Sequence, residues 1–347
     1  MLTADDRIAI LLHNGLAGSK GKTGVSLLRY SRNEIVAVID ETAVSQSVKE
    51  LTGVDRQVPV VASVQAALAL NPTVLAIGLA PSGGRLPDPW YAEVKQAVSA
   101  GLSVMNGLHT QMNADREISS QIRPGRWVWD IRQEPEGLEV GSGKARLLEC
   151  DRVLTVGTDM SVGKMSTSLE LTRAASAKGL RAKLIATGQT GLMLGEAGVA
   201  LDAIRVDYAA GAVEQAVIRN SQEQDILFIE GQGSLLNPGS TATLPLMRGA
   251  QPTALILVHK AGMTHIQHFP DFKIPSLSQV IALYESAVWA GGTFAKTPVA
   301  GIALNTFGLG ETAALDVIKE VSDETGLPCA DVVRFGGTDL LDSVVER

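Results

Sequence analysis

Val153-Leu-Thr-Val-Gly157-Thr-Asp-Met-Ser-Val-Gly163-Lys164-Met165-Ser166-Thr167 decides how the rest of the chain is read. A short β-branched and apolar run ends in a glycine, Gly-Lys follows within one loop, and spaced apolar residues continue at helical intervals. This strand–loop–helix context is what a phosphate-binding loop of the Walker A kind requires. Backbone N–H groups in such a loop converge on a concavity, and the helix start after Gly163 adds its positive dipole end. Lys164 reaches the outer phosphate as a point charge. Gly157, Thr158, Asp159, Ser161, Val162, Gly163, Lys164, Met165 and Ser166 are therefore the expected phosphate-side contacts. The usual motif places Ser or Thr after the lysine to ligate Mg²⁺. Here Met165 offers only a thioether, a poor ligand for a hard cation, so phosphate binding is better supported than Mg-assisted phosphoryl transfer.

Outward from this loop, 347 residues suggest two domains, each able to bury its own core. Hydrophobic residues make up 45% and aromatics 4%, a mainly aliphatic core suited to parallel strands buried on both faces. Apolar runs alternate with helical patterns on both sides of a Gln133–Arg146 connector rich in Glu, Gly and Pro. The expected fold is α/β: two parallel-sheet, three-layer domains, Rossmann-like over 1–146 and P-loop NTPase-like over 147–347. A net charge of −7 argues against a broad nucleic-acid surface. No apolar stretch approaches the ~20 residues of a membrane span, and the start lacks a signal-peptide pattern. Two cysteines, Cys150 and Cys329, form no metal-spaced pair. A reduced, cytoplasmic setting is expected, with a small-molecule substrate, no nucleic acid or membrane partner, and assembly as a homo-oligomer.

In the first half, Gly15-x-x-Gly18-x-x-Gly21 with an acid at Asp40 imitates a dinucleotide fingerprint, or is simply a glycine-rich turn. Arg85, in Pro81-Ser-Gly-Gly-Arg85-Leu-Pro87, and His109 follow strand ends and either face a common cleft or are a solvated loop residue and a helix-capping or hydrogen-bonded histidine. In the second half, Gly188-Gln189-Thr190-Gly191 reads as another loop past a strand. Asp225-Ile-Leu-Phe-Ile-Glu230 ends an apolar run in an acid, as a Walker B strand does, where a carboxylate holds Mg²⁺ or a catalytic water. Three of the five histidines, His259, His265 and His268, fall in one expected loop, a source of a general base near neutral pH or of a zinc site. Asn305, after a later strand, either reads a nucleobase edge or caps a turn.

Residues 151–335 resemble the dethiobiotin-synthetase-like branch of P-loop proteins through Gly157-Thr-Asp159, Val162-Gly-Lys164, Glu230-Gly, Asn305 and Gly326-Leu-Pro328, with Met165 in place of the expected threonine. The whole chain is similar to the D-glutamate N-acetyltransferase family, which joins a Rossmann-like domain to such a P-loop domain. Gly78–Pro87, Val104–His109, Gly157–Thr167, Ala186–Gly191, Ala210–Glu214, Glu230–Leu235 and Thr264–Ile266 carry that match. The resemblance implies acetyl transfer from acetyl-CoA, as co-substrate, to the amino group of D-glutamate. The loop chemistry is compatible, because coenzyme A carries a pyrophosphate and needs no tight Mg²⁺ site. The reaction needs a base, oxyanion donors and cations for two carboxylates. His265 is the first expectation for the base, with Glu230 and Asp159 behind it. Gln189 and Thr190 would sit at the substrate, and Arg85, Arg205 or Arg248 would clamp carboxylates. Two rivals stay open. One is an ATP- and Mg-dependent kinase or ligase acting on a small carboxylic acid, with Glu230 holding the metal. The other is a nucleotide- or CoA-sensing protein without turnover.

Overall fold

Strand formation follows the apolar runs. A computed structural model describes residues 2–81 and 84–346; Ser82 and Gly83, inside the loop singled out above, lie outside the described residues. The chain forms two compact units, Met1–Gln133 with Gln189–Gly195, and Glu134–Gly188 with Glu196–Arg347.

The first unit contains β1 (Arg7–Leu11), α1 (Lys22–Tyr30), β2 (Glu34–Ile39), α2 (Val48–Thr52), β3 (Val60–Val61), α3 (Val64–Leu68), β4 (Val74–Ile77), α4 (Asp88–Ala100), β5 (Ser103–Asn106), α5 (Arg116–Ser119) and β6 (Val128–Asp130). Its strands pair in parallel in the order β3-β2-β1-β4-β5-β6, the Rossmann-like order. Ile8, Ile10, Leu11, Leu75 and Ile77 are fully buried because helices cover both faces.

The second unit contains β7 (Asp151–Gly157), α6 (Lys164–Ala177) and β8 (Ala182–Ala186). The next helix, α7 (Gln189–Met193), belongs to the first unit, where Thr190 Oγ1 lies 3.2 Å from Thr23 Oγ1. The second unit continues with β9 (Ala197–Gly198), α8 (Val206–Arg219), β10 (Ile226–Ile229), α9 (Thr243–Ala250), β11 (Ala254–Lys260), β12 (His265–Ile266) and β13 (Phe269–Lys273). It ends with α10 (Leu277–Trp289), β14 (Val299–Asn305), α11 (Glu311–Thr325), β15 (Cys329–Ala330) and α12 (Thr338–Val345). Seven strands form a parallel sheet ordered β15-β14-β11-β7-β10-β8-β9. Leu154, Val156, Leu227, Ile229, Leu255 and Leu257 build its core with Tyr284 of α10. Truncating a buried side chain of this size, such as Phe228, to Ala costs about 3–5 kcal/mol.

Two local expectations change. The histidine-bearing stretch is not one loop: β11 runs on through His259, and β12–β13 make an antiparallel hairpin. Gln189–Gly191 opens a helix instead of a loop, despite its flanking glycines. Among the described residues, no helix is long and apolar enough to cross a membrane.

Candidate functional site

Parallel strands carry their carboxyl ends to one edge, so β7, β10, β11 and β14 bring Gly157, Glu230, Lys260 and Asn305 to the same edge of the second sheet. The phosphate loop runs from the end of β7 to the start of α6. Two of its backbone positions lie in the left-handed region, Ser161 at φ 60° and Gly163 at φ 122°. An L side chain at Gly163 would be strained, and a serine held at positive φ signals a loop shaped by its surroundings.

Those surroundings are specific. Asn305 Nδ2 donates to Val162 O at 3.0 Å, while its Oδ1 accepts the Phe307 N–H, so this amide fastens the loop to β14. Thr158 N donates to Val258 O, extending the pairing with β11, and the Thr158 hydroxyl meets His259 Nδ1 at 2.8 Å. Burial pushes the His259 imidazole down to about 4, so it is neutral near pH 7. Tyr284 OH donates to Gly157 O at 2.6 Å. Neither the His259 partnership nor the Tyr284 contact is visible in the sequence, because the partners lie 101 and 127 residues apart.

Asp159 is fully buried and accepts three hydrogen bonds: from Met160 N at 2.7 Å, Asn237 Nδ2 at 2.6 Å and Gln267 N at 2.6 Å. It thus ties the phosphate loop to the segment after β10 and to the β12–β13 turn. Its three donors come from three separate segments, which suits it to positioning. Lys164, only 6% exposed, folds its ammonium onto Asp159 O at 2.7 Å. A phosphate in the loop would find that charge already inside the concavity. Met165 and Ser166 follow on α6, half-buried. Thr155 Oγ1 and Ser168 Oγ lie 3.0 Å apart, and Gly231 N donates to Thr155, so the Ser168 hydroxyl is engaged below the loop. Among the described residues, no group of three or more His, Cys, Asp or Glu is arranged to hold a metal ion, the three clustered histidines included.

Glu230 is 4% exposed and receives Thr187 N at 2.9 Å and Gly188 N at 3.2 Å on one oxygen, and Gln232 Nε2 at 3.1 Å on the other. Burial raises its carboxyl to about 7, against the pull of those N–H donors and of Lys164. The Gly188 N–H, at the start of the expected glycine-bracketed loop, is therefore spent on Glu230. His265 is half-buried in the hairpin, with Nδ1 2.9 Å from Thr264 Oγ1.

Gln189, Thr190 and Arg85 belong to the first unit. Arg205 pairs with Glu134 at 2.6 Å and lies over the Tyr208 ring at 4.8 Å. Arg248 lies over the Phe294 ring at 4.5 Å and donates to Ala287 O. These partners occupy the two guanidinium groups expected to clamp carboxylates.

Comparisons with known proteins agree on the architecture. The family described as "Domain of unknown function (DUF1611_C) P-loop domain" matches residues 139–341, and "Domain of unknown function (DUF1611_N) Rossmann-like domain" matches 41–134. A protein of Tritonibacter scottomollicae named D-glutamate N-acetyltransferase is 34% identical over 284 residues, 81% of this chain and 84% of that protein. One of the same name from a Pseudoalteromonas species is 33% identical over 285 residues, 82% of this chain and 83% of that protein. The crystal structure of a DUF1611 family protein from Anabaena variabilis is similar at a TM-score of 0.97 and 57% identity, covering 99% of this chain and 100% of that one.

Proposed function

From its membership of the DUF1611 family, we propose that this chain is an N-acetyltransferase that moves acetyl from acetyl-CoA to the amino group of D-glutamate. The relatives' name supports acetyl transfer. One structural observation carries the rest: the phosphate loop keeps Lys164 but places Met165 where a Mg²⁺-ligating hydroxyl would stand. Such a loop suits a ligand whose phosphates are a handle and not the reacting group. Coenzyme A is such a ligand, its thioester being the reactive end. Gly157 to Ser166 hold the phosphates, and Asn305 acts on that site indirectly by fixing Val162.

In the reaction, the acceptor nitrogen attacks the thioester carbon, the C–S bond breaks, and the sulfur leaves as a thiolate that takes up a proton. The acceptor's ammonium must first lose a proton to a base. Glu230 fits that task best, because its proton affinity lies near neutral pH, where an efficient general base belongs. His265, with a hydroxyl on one ring nitrogen, is the second choice, and Asp159 is a positioning residue. The Mg²⁺-dependent kinase or ligase reading loses ground with Met165.

The test is thiol release from acetyl-CoA by the purified chain, with D- or L-glutamate, in excess EDTA. D-Glutamate-dependent release that survives the chelator is expected, with L-glutamate a poor acceptor. Absence of D-glutamate-dependent thiol, together with Mg²⁺-dependent ATP hydrolysis, overturns the proposal.

A further inference from the structure

The sheet of the first unit reverses its winding between β1 and β4. In open parallel sheets the crevice outside the carboxyl ends of two such strands accommodates ligands. A cavity of about 530 Å³ opens there, bounded by His13 and Lys20 after β1, Leu79 after β4, Arg85, and Asp88 and Trp90 on α4. That volume lies within the ~300–1,000 Å³ of small-molecule sites.

One feature argues against a dinucleotide. Asp40, placed where an acid would hold a ribose, is 1% exposed. Its carboxylate is filled by the N–H groups of Asn14 (3.0 Å), Leu16 (3.1 Å) and Thr42 (3.1 Å) and by the Thr42 hydroxyl at 2.8 Å.

Charge then says what the cavity takes. Lys20 and Arg85 are exposed, and among the described residues their side chains have no hydrogen-bond or ion-pair partner. Asp88 is exposed beside them at the start of α4. The wall is rigid: the His13 ring stacks on Trp90 at 5.4 Å, its Nδ1 accepts the Glu41 N–H at 3.2 Å, and its Nε2 donates to Glu93 at 2.9 Å. Two cations and one carboxylate mirror two carboxylates and one ammonium.

We propose that this cavity recognises a small dicarboxylic α-amino acid, with Arg85 and Lys20 holding its carboxylates and Asp88 its ammonium. The inference rests on the acetyl-transfer reading and names the ligand class that the first unit recognises. Three anchor points also fix the hand of the α-carbon, which one clamp cannot do.

The test is calorimetric titration of the full chain, saturated with unacylated CoA, using D-glutamate, glutarate and inorganic phosphate as probes. Arg85→Gln and Lys20→Gln should each weaken D-glutamate and glutarate at least tenfold, with unchanged melting temperature and CoA affinity. Asp88→Asn should weaken D-glutamate severalfold and leave glutarate, which lacks the ammonium, unaffected. Lys164→Ala should leave dicarboxylate binding intact. Dicarboxylate affinity unchanged in both cation variants, no dicarboxylate binding at all, or binding of phosphate alone overturns the site. Acetyl transfer to D-glutamate with a KM indifferent to Arg85 and Lys20 removes the site but keeps the reaction. Dicarboxylate binding lost in Arg85→Gln, without any acetyl transfer, keeps the site and removes the reaction.

Discussion

Replacing Glu230 by Gln removes proton transfer and, of the three hydrogen bonds to its carboxylate, disturbs only the one from Gln232. The amide oxygen can still accept the N–H groups of Thr187 and Gly188, so the strand ends keep their spacing. What disappears is a carboxyl that burial has raised to about 7. With that value, the fraction of Glu230 ready to accept a proton is about a tenth at pH 6, half at pH 7 and nine-tenths at pH 8. The wild-type rate at saturating substrates should climb with that limb. Glu230→Gln should lower it by about 10²–10⁴-fold and flatten the limb, the range for losing a general base.

Stability gives a second, independent readout of the same group. Its folded pKa lies above the unfolded value of 4.5, so the native state holds the proton more tightly. The stabilisation is complete below pH 4.5 and is lost as pH rises through 7, with a slope of about 1.4 kcal/mol per pH unit between them. Glu230→Gln does not titrate. Relative to wild type it should gain on the order of 3 kcal/mol between pH 4.5 and pH 8, seen as a higher melting temperature at the upper pH only. Rates measured from pH 5.5 to 9 and melting curves at both ends decide it. A Glu230→Gln variant within threefold of wild type, or one that retains the pH limb, refutes the assignment of the base.

Lys164→Ala should weaken CoA binding by about 10–150-fold, the loss of one charge-assisted phosphate contact, read by calorimetry. It should also move the rate limb to higher pH, because Lys164 lowers the Glu230 pKa. Asp159→Asn puts a donor among the three donors of Met160, Asn237 and Gln267. It should cost about 1–3 kcal/mol in denaturant melts and raise hydrogen exchange at Gln267. His265→Ala should change the rate less than tenfold and leave the pH limb in place; a larger loss with a shifted limb would move the base to the hairpin.

The fold was legible where the signal is local. Short apolar runs such as Ile226–Ile229, bounded by polar residues and too short for a helix, read as strands buried on both faces, and Gly157 to Lys164 between a strand and a helix defines its loop without help from the rest of the chain. Elements with mixed signals were harder. Phe269-Pro-Asp-Phe-Lys273 is mostly exposed and contains proline, so it reads as loop until it pairs with β12. Gln189–Met193 is a helix held by packing and not by propensity. Within the site, the residues at strand ends were visible, but their roles depend on partners far along the chain. Asp159 is a candidate base in the sequence, and its ties to Asn237 and Gln267, 78 and 108 residues away, show only in the fold. Glu230 ranks behind a histidine until its burial is known, since depth and not residue type brings its pKa to about 7.

The central claim, that the phosphate loop here serves acyl transfer and not phosphoryl transfer, is tested most directly by following the label. The purified chain is incubated with acetyl-CoA labelled in the acetyl carbons, D-glutamate and ATP, first in EDTA and then with excess Mg²⁺ restored, and the products are resolved by mass spectrometry. The account predicts labelled N-acetyl-D-glutamate in amounts equal to the CoA set free, with ATP intact. Unlabelled glutamate beside consumed ATP after Mg²⁺ is restored would contradict it.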